Sequence, residues 1–126
     1  MTGGTPTKQL TFPKSRRLIQ SAEFEQVKKN GRVYRGQFVV LSIAQANDAT
    51  RFRAGFITSR ALGGAVVRNR VRRRLREIVR KHQRELIDGM WMVTIARARA
   101  ARASYEQLEV EWLRLAKRAS ILAASC

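Results

Sequence analysis

The segment from Val66 to Arg84 constrains the fold more than any other, because it combines nine cations with a single acid, Glu77. Its cations are Arg68, Arg70, Arg72, Arg73, Arg74, Arg76, Arg80, Lys81 and Arg84. At about 100° per residue, five apolar side chains of this stretch and of the residues just after it fall within an arc of roughly 100°. They are Val67, Val71, Leu75, Ile78 and Leu86. The spacing predicts one long helix, from Ala65 or Val66 to Leu86, with a narrow stripe in a core and arginines on the opposite side.

Such a density of like charge indicates a polyanionic partner. Arginines spaced four residues apart, such as Arg68, Arg72 and Arg76, repel one another and destabilise an isolated helix by roughly a few tenths of a kcal/mol per pair. The whole chain carries 26 Lys and Arg against 9 Asp and Glu, a formal charge of +17. Binding to phosphates releases condensed counterions, so nucleic acid is the expected partner and its affinity should depend strongly on salt. An anionic membrane surface fits less well, because the segment lacks aromatic anchors.

Composition bounds the class of protein. A chain of 126 residues with 44% hydrophobic residues is long and apolar enough for one compact domain. Cys126 is the only cysteine, which predicts neither an internal disulfide nor a cysteine-based metal site. No apolar run is long enough to cross a bilayer, and residues 1–12 lack the apolar stretch of a signal peptide. We therefore expect a cytoplasmic protein that has no membrane partner.

Periodicity predicts an α+β domain with the element order αβββαβα. The expected elements are a helix over 21–30, a β segment over 33–44 that a break near Gly36 splits in two, a strand over 51–59, the long helix, a strand over 90–97 and a last helix opened by the capping box at Ser104. In the strand over 51–59, Arg53, Gly55 and Ile57 share one face, which predicts that this face of the sheet is polar or basic. We expect a flexible arm over 1–12, a folded domain over 13–120 and a tail over 121–126.

Nothing in the sequence indicates a catalytic centre or a protein-bound metal. His82 is the only histidine and projects within the apolar stripe, where a lone histidine is usually structural. The acids are scattered or lie at helix starts, without the paired carboxylates and histidine of a two-metal site. The Gly63-Gly64 pair lacks the spacing of a phosphate-binding loop. These residue types favour binding over bond cleavage, and we predict no catalytic and no metal-ligating residues.

The R-N-R motif at residues 68–70 carries a family resemblance. The stretch from Arg53 to Glu77, with its Arg72-Arg73-x-x-Arg76-Glu77 pattern, resembles the signature of the bacterial ribonuclease P protein subunit. Upstream, the similarity includes Ser21-x-Glu23-Phe24-x-x-Val27-x-x-x-Gly31, and downstream it includes Val93-x-Ile95-Ala96-Arg97. It covers the chain from about residue 18 to residue 119.

The resemblance implies both a topology and a role. The expected fold is a sandwich with a central four-stranded sheet and a left-handed βαβ crossover, of the ribosomal-protein-S5-domain-2-like kind. The expected role is that of the noncatalytic protein component of an endoribonuclease holoenzyme, one protein with one catalytic RNA. It would bind that RNA and the 5′ leader of precursor tRNA. Removal of the leader would use Mg²⁺ held through the RNA, with none bound by protein side chains alone.

The resemblance also implies the site residues. The expected RNA contacts are Arg60, Arg68, Asn69, Arg70, Arg72, Arg73 and Arg76, together with Lys14, Arg16 and Arg17 near the N-terminus. The expected leader cleft contains Phe24, Lys28, Val39 and Leu41. Two positions depart from the family pattern: Lys28 stands where a second aromatic is frequent, and Ala61 where a second basic residue is common. Read from the sequence alone, Asn69 could equally be a capping or turn residue.

Three other functions fit parts of the sequence. A structural RNA-binding protein of the ribosome would share the size and the charge, and it is the main alternative. A DNA-binding regulator could place the arginine helix in a major groove, but no helix-turn-helix pattern accompanies that helix. A stand-alone protein nuclease would require catalytic residues that the chain lacks.

Overall fold

The structure, a computed structural model, describes Val27, Lys29 and residues 31–45, 52–87 and 89–122. Within these residues the strands are β1 (Arg32–Arg35), β2 (Val39–Gln45), β3 (Arg53–Thr58) and β4 (Met90–Ala96). The helices are α1 (Ala65–Lys81) and α2 (Tyr105–Arg118), with short 3-10 turns at Arg60–Leu62, Gln83–Glu85 and Ala98–Arg102. The predicted α+β architecture with a four-stranded sheet is confirmed. Val27 and Lys29 are helical, and the rest of the helix predicted over 21–30 lies outside the described residues.

The four strands form one mixed sheet in the order β1-β2-β4-β3. β2 is antiparallel to β1 and to β4, whereas β3 is parallel to β4. Parallel neighbours cannot be joined by a hairpin and need a crossover connection. α1 forms most of that connection, so one end of the arginine helix is linked to β3 and the other end to β4.

The main core lies between one face of the sheet and the two helices. β2 contributes Val39 and Leu41, and the apolar stripe of α1 contributes Leu75 and Ile78. Trp112 of α2 is completely buried, and its indole N–H donates to Thr94 Oγ1 at 3.3 Å. Burial of side chains of this size stabilises a fold by about 1.5–3 kcal/mol each. The predicted stripe on α1 therefore anchors the helix and leaves its arginines outside.

The opposite face of the sheet is also apolar, so the expectation of a polar or basic face is wrong. Val27, Ala44 and Val93 form a second buried cluster, with Ile57 packed against it. The Ser42 hydroxyl donates to the carbonyl oxygen of Val27 at 3.2 Å. The single arginine in the alternation of β3 was a poor guide, because the buried side chain of Val27 packs with Ala44 and Val93 on this face.

The arginine helix is shorter than predicted, ending at Lys81 and not at Leu86. His82 is its C-cap, and a 3-10 turn follows. Leu86 comes directly after that turn and is buried in the core, although it is not part of the helix. Beyond residue 120 the chain is still part of the fold, since Ile121 is buried and Leu122 pairs with Leu86. The predicted boundary between the domain and the tail is therefore too early.

α2 begins as predicted, with a capping box. The Ser104 hydroxyl accepts from the Gln107 N–H at 3.1 Å, and the Gln107 side chain accepts from the Ser104 N–H at 2.9 Å. Glu111 lies in the middle of α2 and is buried. Its carboxylate accepts three backbone hydrogen bonds from the loop between β1 and β2. A sequence-based reading missed this tertiary contact.

Candidate nucleic-acid interface

The burial pattern of α1 separates a buried stripe from a basic surface. Val71, Leu75, Ile78 and Val79 are buried. The arginines at 70, 73 and 76 are exposed, and those at 68, 72 and 74 are half-buried. α1 therefore presents the predicted RNA-contact residues on one side of the protein.

Acidic partners divide the basic helix into two halves. In the C-terminal half, Arg80 forms an ion pair with Glu77, and its hydrogen bond is the main cause of a lowered Glu77 pKa. Lys81 Nζ lies 3.1 Å from the Glu109 carboxylate. In the N-terminal half, no carboxylate of the described residues forms an ion pair with the arginines at 68, 70, 72 and 73. Uncompensated charge is thus concentrated near the helix N-terminus, where the helix dipole adds to it.

Two arginines connect α1 to the turn at Ala98–Arg102 and to the residue that follows it. Arg70 donates to the carbonyl oxygen of Ala101 at 3.3 Å, and Arg74 donates to that of Ala103 at 2.9 Å. A guanidinium has about five N–H donors, so one such bond leaves others for an anion. Arg74 is the more buried of the two and acts chiefly as a tether, whereas Arg70 remains exposed.

Asn69 and Arg72 form a linked pair at the centre of the motif. Arg72 donates to Asn69 Oδ1 at 3.0 Å and to Thr58 Oγ1 at 2.7 Å. Asn69 is therefore not the helix cap, a position that belongs to Gly64. Sequence reasoning missed Thr58, because its position in the alternation of β3 only predicts that it faces the core.

Two further observations concern predicted RNA contacts. Arg68 Nε is buried and has no hydrogen-bond partner within the described part of the chain. Buried N–H groups are nearly always bonded, so an acceptor from a ligand would satisfy this atom. Arg60 lies exposed in the 3-10 turn between β3 and α1, and Ala61 beside it is exposed as well.

The predicted leader cleft lies partly outside the described residues, and the prediction for its sheet side is wrong. Phe24 and Lys28 lie outside the described residues, as do the predicted contacts Lys14, Arg16 and Arg17. Val39 and Leu41 are each 0% exposed in the main core, so neither lines a surface. The face toward Val27 carries their neighbours in the alternation, including Val40. Sequence alone could not assign the two faces, because β2 is apolar on both.

His82 has the structural role expected of it. Its Nε2 lies 2.8 Å from Glu109 Oε2 and its Nδ1 lies 3.1 Å from Glu85 Oε2. The ring stacks on Trp112 with centroids 6.3 Å apart. These contacts tie the end of α1 to α2. No group of three or more His, Cys, Asp or Glu able to hold a metal occurs among the described residues, and none of the helices they form is long and apolar enough to span a membrane.

Low pH should weaken the contact between the end of α1 and α2, because it protonates Glu109. The hydrogen bond with His82 is the main cause of a lowered Glu109 pKa, and the bond with Lys81 adds to it. The unfolded chain takes up this proton near the ordinary glutamate pKa of about 4.3, whereas the folded protein takes it up only at lower pH. The stabilisation by Glu109 is therefore complete above that value and is lost as the pH falls through the folded pKa.

We expect Glu109→Gln to reduce the free energy of unfolding near neutral pH, and the difference from the unsubstituted protein to shrink as the pH falls below about 4. Urea denaturation at several pH values measures it. Glu106→Gln, on the exposed first turn of α2, is the control and should change stability little. A Glu109→Gln difference that stays constant down to the lowest pH would contradict the assignment.

Comparison with known proteins agrees with this geometry. The family model for ribonuclease P matches residues 12–120. The ribonuclease P protein component of Syntrophomonas wolfei is 35% identical over 111 residues, covering 87% of this chain and 92% of the relative. That of Roseiflexus castenholzii is 39% identical over 107 residues, covering 84% and 87%.

A solved structure of the Staphylococcus aureus RNase P protein superimposes with a TM-score of 0.80 at 26% identity, covering 86% of this chain and 99% of that one. The resemblance inferred from the R-N-R motif is confirmed, and the ribosomal alternative finds no support in these comparisons. The chain therefore belongs to the family of ribonuclease P protein components, the protein subunits of a ribonucleoprotein endoribonuclease.

Proposed function

We propose that the N-terminal half of α1 docks onto the catalytic RNA of ribonuclease P. The division of charge along α1 carries this proposal: the arginines at 68, 70, 72 and 73 have no acidic partner among the described residues, whereas Arg80 and Lys81 do. Guanidinium groups bind phosphates bidentately, so a helix with several of them on one side can follow an RNA backbone. Arg60 and Arg76 would extend the same surface.

The 5′ leader of precursor tRNA would lie along the other face of the sheet, the one on which Val27 packs, and Phe24 and Lys28 would add contacts with it. On this face the sheet offers Val33 and Arg35 of β1, both exposed, and Ile57 of β3, which is half-buried. An unpaired strand binds to surfaces that combine apolar or aromatic side chains with nearby cations. The basic residues Lys14, Arg16 and Arg17 would add contacts with the same strand or with the catalytic RNA.

Hydrolysis would belong to the RNA partner. The described residues proposed to contact phosphate are mostly arginines, which carry only N–H donors and do not ligate Mg²⁺. Mg²⁺ would thus be held through the RNA, and the protein would contribute affinity and orientation. We propose a cytoplasmic complex of one protein and one catalytic RNA that acts on precursor tRNA.

Reconstitution with the cognate RNA tests the function directly. At low Mg²⁺, addition of the protein should increase the rate of leader removal, and RNA-free protein should cleave nothing. An RNA whose cleavage rate does not change when the protein is added would refute the proposal. Preferential binding of duplex DNA in competition would instead favour a DNA-binding regulator.

A further inference from the structure

We propose that Thr58 is a positioning residue for RNA recognition, which acts through Arg72 on the carboxamide of Asn69. The inference rests on the proposed function and adds a residue outside the R-N-R motif. Thr58 is the last residue of β3 and is 9% exposed. It shares a strand face with Phe52 and Phe56, where a hydroxyl must form a hydrogen bond to avoid an energetic cost. The Arg72 guanidinium supplies that bond at 2.7 Å.

The second bond of Arg72 determines the orientation of Asn69. A guanidinium has donors only, so the atom of Asn69 that faces it must be the carbonyl oxygen, here at 3.0 Å. Rotation of the amide by half a turn would bring two sets of N–H donors together. The amide nitrogen is consequently the group that Asn69 offers to a ligand. Asn69 is exposed, and its N–H groups match acceptors on RNA such as phosphate and ribose oxygens.

The support for this pair is rigid. Thr58 is paired with Ala96 in the register of β3 with β4, so its backbone is fixed by the sheet, and burial restricts its side chain. Arg72 lies one helical turn beyond Asn69, and its two bonds immobilise a side chain that would otherwise lose conformational freedom on binding. They use two of its roughly five donors, and the rest can reach a phosphate. Asn69 and Arg72 are therefore presented to RNA in one preorganised arrangement.

Two substitutions at Thr58 test this inference. Thr58→Val keeps the shape but removes the hydroxyl, and we expect it to weaken binding to the cognate RNA by about fivefold to tenfold. The dependence of affinity on salt should be unchanged, because no charge is lost. Thr58→Ser retains the hydroxyl and should restore most of the affinity. Thermal denaturation and a stoichiometric titration establish how much of each variant is folded and active.

A double-mutant cycle separates positioning from a general structural effect. If Thr58 acts in part through Asn69, Thr58→Val should have a smaller effect on affinity in an Asn69→Ala background than in the unsubstituted protein. Equal effects in both backgrounds, or an affinity of Thr58→Val equal to that of the unsubstituted protein, would overturn the inference. The proposed function would survive that result as long as the unsubstituted protein still binds the RNA and stimulates cleavage.

Arg72→Lys keeps the inference falsifiable should Thr58→Val not fold. Lysine retains the charge but lacks the planar fork that joins Thr58 to Asn69. We expect a loss of affinity of about fivefold or more with an unchanged salt dependence. Binding as tight as that of the unsubstituted protein would overturn the inference.

Discussion

Replacing Arg70 and Arg73 together by glutamine should weaken RNA binding by about 10-fold to 100-fold and reduce the slope of log affinity against log salt by about two. Each phosphate contact contributes about one counterion to that slope. Both side chains are exposed, and neither forms an ion pair with a described carboxylate. Affinity for the cognate RNA, measured across a range of salt concentrations, provides both numbers. Thermal denaturation checks that the loss of the Arg70 bond to Ala101 does not unfold the protein.

The matched control is Lys117→Gln with Arg118→Gln. These residues lie in the last turn of α2, both are exposed, and the substitutions remove the same two charges. Net charge alone would lower affinity equally in the two double variants. If the N-terminal half of α1 is the docking surface, the Arg70 and Arg73 double variant should lose much more affinity than the control double variant. Equal losses would show that RNA responds to the total charge and would contradict the assignment of the N-terminal half of α1.

Glu111→Ala should lower the free energy of unfolding by about 3 kcal/mol or more. The carboxylate accepts backbone N–H bonds from Gln37 at 2.8 Å, Phe38 at 2.6 Å and Val39 at 2.8 Å. A buried donor left without an acceptor costs about 1–3 kcal/mol, and here the buried Val39 N–H and two partly buried N–H groups lose theirs together. Urea denaturation at neutral pH measures the change, with RNA affinity of the folded fraction expected to stay the same.

Two further variants bracket this effect. Glu111→Gln keeps one carbonyl oxygen as an acceptor and should destabilise the protein less than alanine does. Glu106→Ala, on the exposed first turn of the same helix, should cost less than about 1 kcal/mol. If Glu111→Ala were no more destabilising than Glu106→Ala, the three bonds to the loop could not be important for stability.

The close approach of Glu111 also explains one glycine. A Cβ on Gly36 would lie 2.5 Å from the Glu111 carboxylate, so only glycine allows the loop between β1 and β2 to reach it. The loop is held from the other side by Arg97, which donates to the Gly36 carbonyl oxygen at 2.9 Å. Sequence reasoning recognised a break near Gly36 but not the carboxylate that receives the loop, because the two are distant in the chain.

The candidate site shows a similar division between predictable and unpredictable features. The repeated apolar residues of α1 were sufficient to predict its buried side, but not the exposure of each arginine, since Arg72 lies opposite the stripe and is nevertheless half-buried by its bonds to Asn69 and Thr58. Only one acidic partner of its C-terminal half could be predicted from the sequence. Glu77 lies three residues before Arg80, whereas Glu109 belongs to α2 and is distant in the chain. The assignment of Val39 and Leu41 to a cleft was wrong because an apolar strand covered on both faces carries no mark of which face is which.

By itself, the sequence determined the α+β class, the basic helix, the capping box of α2 and, through the R-N-R motif, the family. These features depend on periodicity and on residues close together in the chain. Only the tertiary structure decided which sheet face each side chain of β2 joins, where α1 ends, and that Thr58 and Glu111 hold distant groups. Such contacts arise when the crossover and the hairpin bring remote segments together, and no local pattern encodes them.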